Sequence, residues 1–268
     1  MDRPEGLLQR AVCILDALAA AQHSKSVRTL AEETGLSKSA VQRILTDLVA
    51  TELASQDPTT RQYHLGARTL ALGMAYQRRV DVRQAALPHM ARLRDSTDET
   101  VGISVGLADQ VLHVDQVESE STLRAHFDIG RPLPLWSGAP ARLLLAVRSE
   151  DDIRRILSER HGTDLTPVNP PSTEALIEDV RAVRAAGYAC AFEETLPGVS
   201  TMSVPVFGAA GELTAVLSLT APSIRLTPQR VDELLPEVLR TAAAISADLG
   251  YRPGVNGAAL QPPSGPIH

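Results

Sequence analysis

The stretch Leu30-Ala31-Glu32-Glu33-Thr34-Gly35-Leu36-Ser37-Lys38-Ser39-Ala40-Val41-Gln42-Arg43-Ile44-Leu45 decides how the front of this chain folds. Leu30 and Ala31 form the apolar side of a short helix, with Glu32 and Glu33 outward. Gly35 ends it, because a residue without a Cβ takes positive φ at no steric cost. Ser37 then offers its hydroxyl as an N-cap. Beyond it, Val41, Ile44, Leu45, Leu48 and Val49 form one apolar stripe at helical spacing. The order helix, glycine turn, helix is that of a helix-turn-helix.

The polar side of the second of these helices gives it a use. At about 100° per residue, Lys38, Ser39, Gln42, Arg43 and Thr46 fall opposite the stripe. That side carries no acid, and Asp47 lies at its margin. A guanidinium, an ammonium, an amide and hydroxyls are the groups that address phosphates and base edges in a major groove. Gln42 and Arg43 are the expected base readers, with Ser37, Lys38, Ser39 and Thr46 beside them. Arg28 at the start of the preceding helix is an expected phosphate contact. A polar outer face alone is common to solvated helices, so the flanking elements carry weight. Upstream, Leu8, Ala11, Val12, Leu15, Leu18 and Ala19 predict a helix over 7–21, followed by a polar break. Downstream, 53–56 and 62–65 read as strands around the turn Asp57-Pro58-Thr59-Thr60. Arg61 at this hairpin tip is a further phosphate or minor-groove candidate. The whole is the order of a winged helix-turn-helix.

Charge seems at first to oppose this reading. The 268 residues carry 26 basic and 32 acidic side chains, net -6. Residues 1–80, however, hold 10 basic and 8 acidic groups, net +2, against 16 and 24, net -8, in the remainder. The acid surplus therefore lies outside the DNA-reading candidate. The length suggests two domains. Hydrophobic content of 44% with 22% charged residues is that of a globular chain. Cys13 and Cys190 stand alone, without a CxxC or Cys/His cluster, so neither a structural metal nor a cofactor is expected. No signal-peptide pattern or membrane-length apolar run appears, and a cytoplasmic protein is expected.

Gly66 opens another helical stretch with Leu70, Met74 and Ala75, running to about Val80, and a new helix over 83–97 follows. The expected boundaries are a winged helix at 1–66, a linker helix at 67–82, a second domain at 83–250 and a disordered Gly/Pro-rich tail at 251–268. In the second domain, strands are expected at 100–106, 111–118, 121–127, 188–192, 201–207 and 212–220. Helices are expected near 138–147, 150–160, 173–186 and 227–249, with loops at 130–134 and 163–171.

At these residues the chain resembles the IclR family of transcription regulators. The stretch 30–45 is similar to that family's helix-turn-helix, and Tyr63-His64-Leu65-Gly66 to its wing strand. The second half agrees in Gly130-Arg131-Pro132-Leu133-Pro134-Leu135, Ser137-Gly138-Ala139, Leu144-Leu145-Ala146 and Gly187-Tyr188. It agrees further in Glu193-Glu194, Gly198-Val199-Ser200, Val204-Pro205-Val206 and Leu217-Ser218-Leu219-Thr220-Ala221-Pro222. The resemblance spans about residues 7–250. It implies an α+β protein: an N-terminal winged helix-turn-helix joined by a linker helix to a GAF-like α/β effector-binding domain. It also implies a homodimer or tetramer on palindromic double-stranded DNA operators, repressing or activating in response to a small metabolite, commonly an organic acid.

Three strands divide their faces in a way that fits a sensing domain. Thr100, Gly102, Ser104 and Gly106 share one face. Thr201, Ser203 and Pro205 lie opposite Met202, Val204 and Val206. Thr214, Ser218 and Thr220 lie opposite Ala215, Leu217 and Leu219. The apolar faces pack, and the hydroxyl faces are left for solvent or for a polar ligand. Ser137-Gly138-Ala139-Pro140 stands at a helix start, where free N–H groups and the positive dipole end suit a carboxylate. The resemblance places the effector between this helix start and the hydroxyl-bearing strands. It marks Gly138, Ala139, Thr201, Ser218 and Thr220 as contacts and Leu123 and Ala125 as apolar wall. Three positions depart from the family pattern: Ala191 replaces an acidic contact, Ala141-Arg142 the usual Gly-Lys, and Trp136 a His or Tyr. These suggest a more apolar ligand, although Trp136 equally suits a core. Glu193 and Glu194 read as a solvated loop, or as partners of a cation, Arg124 or Arg131. The alternative is a small-molecule-processing enzyme with an accessory winged helix. His113, His126 and Cys190 could supply its Cys/His pair, but no spacing demands this and structural roles are expected.

Overall fold

A computed structural model describes residues 6–21, 23–79, 81–158 and 171–253. The chain divides into two compact units, Met1–Arg79 and Val80–His268.

The first unit contains α1 (Leu7–Ala19), α2 (Val27–Thr34), α3 (Lys38–Ala50), the hairpin β1 (Ala54–Gln56) and β2 (Tyr63–Leu65), and α4 (Ala67–Arg79). Gly35 takes φ +67 at the end of α2. Ser37 caps α3, its Oγ accepting from the Ala40 N–H at 3.3 Å. The core joins Ile14, Leu18, Leu30, Val41, Ile44, Leu45, Leu48, Ala54 and Tyr63. Lys25 extends the hairpin by a backbone bridge to Tyr63, with both N–H···O bonds 2.8 Å. The expected α1 stripe is only half right. Ile14 and Leu18 point inward and Ala11 and Leu15 pack partly, but Leu8 and Val12 are exposed, as is Val49 on α3.

The second unit is a six-stranded antiparallel sheet in the order β5-β4-β3-β8-β7-β6. Its strands are β3 (Thr100–Leu107), β4 (Gln110–Val117), β5 (Pro132–Pro134), β6 (Ala189–Phe192), β7 (Val199–Phe207) and β8 (Leu213–Pro222). Its helices are α5 (Asp81–Thr97), α6 (Ala139–Ala146), α7 (Glu150–Ser158), α8 (Thr173–Ala186) and α9 (Pro228–Asp248). The alternation predicted for β3, β7 and β8 governs the packing. Val101, Ile103, Met202, Val204, Leu217 and Leu219 face α5 and α9 in one core. The opposite side is not left to solvent. It is covered by a second core, with Leu143 and Leu145 of α6, Ile153 of α7 and Val180 of α8. Ser203 and Ser218 lie beneath that layer, fully buried, and satisfy each other by a 2.8 Å hydrogen bond.

Two strand expectations are corrected. Residues 121–127 form no strand. Their backbone is held by side chains instead: Thr100 Oγ1 donates to the Ala125 carbonyl at 2.7 Å, and Gln116 Oε1 accepts from the Phe127 N–H at 2.7 Å. Conversely Pro132–Pro134, expected as loop, pairs with β4 as β5. An edge strand tolerates proline because its outward side needs no donor. Of the remaining expectations, 163–170 and the tail from 254 onward lie outside the described residues.

Candidate functional site

The polar face of α3 forms as read. Ser37, Lys38, Ser39, Gln42, Arg43 and Thr46 are all exposed on one side of the helix. Their freedom differs. Ser37 is committed to its cap, and Ser39 shares a 3.1 Å hydroxyl contact with it. Thr46 Oγ1 donates back to the Gln42 carbonyl at 2.9 Å. Gln42 Nε2 donates to the Tyr63 hydroxyl at 3.3 Å, which ties the recognition helix to the wing strand. Arg28 is exposed but turned onto Glu32 at 2.9 Å. Arg61 sits at the hairpin tip with φ +59, its carbonyl held by Gln56 Nε2 at 2.9 Å. The Asp57 carboxylate shapes that turn by accepting the Thr59 and Thr60 N–H groups, each at 2.8 Å. Those bonds hold its pKa below the usual carboxylate value.

In the second unit a cavity of about 330 Å³ opens between the start of α6, the inner face of the sheet and the loop after β6. Ser137, Gly138, Ala139 and Pro140 form one wall, and Thr201 and Thr220 lie on the sheet. Ala191 comes from β6, and Glu194, Thr195 and Leu196 from the loop after it. Val111, Phe127, Leu133 and Val199 add apolar wall, and His113, His126 and Asp128 add polar groups to it. Gly138 takes φ +85, and a Cβ there would stand 3.1 Å from Thr195 Oγ1, so glycine lets the loop close on the helix start. The N–H that could greet a ligand carboxylate is already in use. Gly138 donates to Glu194 Oε1 at 3.1 Å. Glu194 Oε2 pairs with Arg142 Nη1 at 2.6 Å, and Arg142 also bridges to Asp179 at 3.1 Å.

These two sites lie on sequences that match known families. The IclR helix-turn-helix domain matches residues 7–58, and the domain described as bacterial transcriptional regulator IclR C-terminal matches residues 74–247. The chain belongs to the IclR family. It is similar to the HTH-type transcriptional regulator BhcR of Paracoccus denitrificans, 32% identical over 248 residues, covering 91% of this chain and 88% of that one. It is also similar to KdgR of Escherichia coli K12, 31% identical, covering 89% and 90%. An IclR transcriptional regulator from Alicyclobacillus acidocaldarius superposes with a TM-score of 0.75 at 27% identity, covering 90% and 97%.

This IclR-family chain is therefore a helix-turn-helix transcriptional regulator. Its cavity sorts the residues expected to hold an effector. Ser137, Gly138, Ala139, Thr201 and Thr220 line it together with Ala191. Ser203 and Ser218 lie deeper, paired with each other beneath the second core. Leu123 is exposed and Ala125 buried, and neither lines the cavity; from that stretch His126 and Phe127 do. Trp136 is core, 4% exposed among α6 and α8 residues. Glu194 departs from the expected solvated loop, being partnered by Arg142, whereas Arg124 pairs with Glu118 and Arg131 with Asp128. Two groups that line the cavity were read as structural, His113 and His126. The Cys/His pairing fails on placement: Cys190 packs against the α5/α9 core, while His113 points to the other side of the sheet. Burial pushes the Cys190 thiol up to about 12, so it stays protonated. No group of three or more metal-ligating side chains, and no helix long and apolar enough to cross a membrane, occurs among the described residues.

Proposed function

We propose that this regulator binds a palindromic operator as a homodimer, or as a tetramer of two such dimers, and that a small organic acid in the α6 cavity changes its operator affinity. The observation that carries the effector half is the cavity itself: a partly open, mainly apolar space ending in a glycine-started helix and two threonines. Arg43, Gln42, Lys38 and Ser39 supply the base and phosphate contacts on α3, with Arg61 on the adjacent wing. Arg28 reaches a phosphate by exchanging Glu32 for it, a solvent-exposed pair worth little to keep. Thr46 and Ser37 hold the helix in shape more than they read bases.

The dimer reading rests on exposed apolar side chains in the first unit. Leu8 and Val12 on α1, and Leu70 and Met74 on α4, form i,i+4 stripes that an isolated monomer leaves in water. The protein acts in the cytoplasm, where its DNA is, and without catalysis. The relatives' names point to regulators, and the half-buried Cys190 is separated from the cavity histidines by the sheet.

The deciding experiment is operator footprinting of the purified full chain with and without small organic acids. Protection of a palindromic site, altered by one of the acids, is expected. Turnover of an acid with no change in protection would favour the enzyme alternative.

A further inference from the structure

His113 is a buried polar side chain in the cavity wall to which the proposed function gives no task. It stands on β4, 5% exposed, and lines the cavity beside Val111 and Leu133. Its Nδ1 lies 2.7 Å from Ser104 Oγ at the paired position of β3. The Phe127 ring packs against it, with centroids 4.6 Å apart and planes tilted by 48°. Phe127 in turn is seated on Gly102, where a Cβ would stand 2.5 Å from two ring atoms. The imidazole is thus fixed from two sides. Among the described residues its hydrogen-bond partner is Ser104, which leaves Nε2 for the cavity.

We propose that His113 is the specificity-determining residue of the cavity, and that Nε2 reads an uncharged hydroxyl carried on the effector's apolar body. The proposal rests on the cavity being the effector site. Burial holds the imidazole's pKa down to about 4, against a small opposing pull from Asp128, so the ring is neutral near pH 7. A neutral ring offers no ion pair to an anionic group, and the charged group in the same wall, Asp128, is itself an acid, already paired with Arg131. A hydroxyl both donates and accepts, so it satisfies Nε2 in either tautomer that Ser104 selects. Val111, Phe127 and Leu133 supply the apolar contact around it. A ligand lacking the hydroxyl would bury Nε2 unpaired, which a hydrogen-bonding site penalises more than a missing apolar contact.

The test is isothermal titration of the full chain with two matched series: benzoate with its 2-, 3- and 4-hydroxy derivatives, and cyclohexanecarboxylate with its hydroxy derivatives. Wild type is expected to bind one hydroxylated member of a series about tenfold more tightly than its parent. H113F is expected to bind parent and hydroxylated acids alike, the parent at least as tightly as wild type binds it. H113Q, which keeps a neutral polar group in the wall, is expected to retain part of the preference. It carries the comparison if H113F fails to fold. A full preference surviving in H113F, or in H113Q no preference at all, would overturn the proposal, as would failure of every acid to bind wild type. A191L, which grows into the cavity from β6, separates the two readings. If it leaves binding unchanged, the cavity is not the effector site. If it weakens every ligand while H113F keeps the preference, only the role of His113 falls.

Discussion

At the scale of single residues, the chain separates side chains that read from side chains that hold. Among the described residues Arg43 makes no intramolecular hydrogen bond or ion pair on its exposed face of α3, whereas Gln42 is steadied by Tyr63. R43A is expected to cost about 1–3 kcal/mol of operator affinity and to relax one base position, measured by competition against single-base operator variants. K38A should instead weaken all sequences alike and lower the salt slope by about one. Equal loss for every operator variant in R43A would reassign it to a phosphate. Tyr63 was legible as a wing residue but its service to Gln42 was not, since a contact between positions 21 apart has no local signal. His113 makes a second, thermodynamic prediction. Its pKa is lowered from 6.5 in the unfolded chain to about 4 in the folded one. The unfolded state therefore binds the proton first, and stability falls as pH drops from about 6.5 toward 4, levelling below. The loss is of order 3 kcal/mol, and H113F should flatten that part of the denaturation midpoint against pH. An unchanged pH profile in H113F would mean that the imidazole is not buried neutral.

At the scale of elements, local patterns were readable and pairings across the sheet were not. The Ser37 cap and the Gly35 stop are set by residues within one turn, and both formed as read. S37A is expected to cost about 1 kcal/mol in denaturant titration, because it strips the N-cap from α3. The stretch 121–127 failed as a strand for a physical reason: its backbone bonds are met by Thr100 and Gln116, which no alternation within the stretch announces. β5 hid behind its two prolines, which are tolerable only at an edge. The hydroxyl faces of β7 and β8 were legible as a feature, but their covering by α6–α8 was not. Hence Thr201 and Thr220 reach the cavity and Ser203 and Ser218 do not. The loop after β6 carries the sharpest element-level consequence. With Glu194 on the Gly138 N–H, the proposed acid effector would have to take over that donor to bind there. E194Q keeps an acceptor but removes the negative charge, so carboxylate probes should bind several-fold more tightly while uncharged alcohols of the same shape do not change. Equal changes for both would show that the carboxylate never meets this helix start.

At the scale of the whole molecule, the charge division gives the two units different dependences on conditions. The acidic surplus belongs to residues beyond 80, so DNA affinity has to come from a few placed cations, doubled in the proposed dimer. L8E or L70E, placing a charge in an apolar stripe, should make operator binding depend steeply on protein concentration and shift sedimentation toward monomer. Linkage then constrains the regulator without reference to how the units are arranged. If saturating effector changes operator affinity by some factor, saturating operator must change effector affinity by the same factor. That factor is expected to lie between about 5 and 150, a coupling of about 1–3 kcal/mol. Titrating effector into free protein and into the operator complex measures one side, and titrating operator with and without effector measures the other. R43A should weaken operator binding while leaving effector affinity of the free protein untouched, and A191L should do the reverse. Unequal factors on the two sides would require the effector to act outside this equilibrium, through assembly state or a second site. Repeating the titrations with L70E at fixed dimer fraction tells those apart.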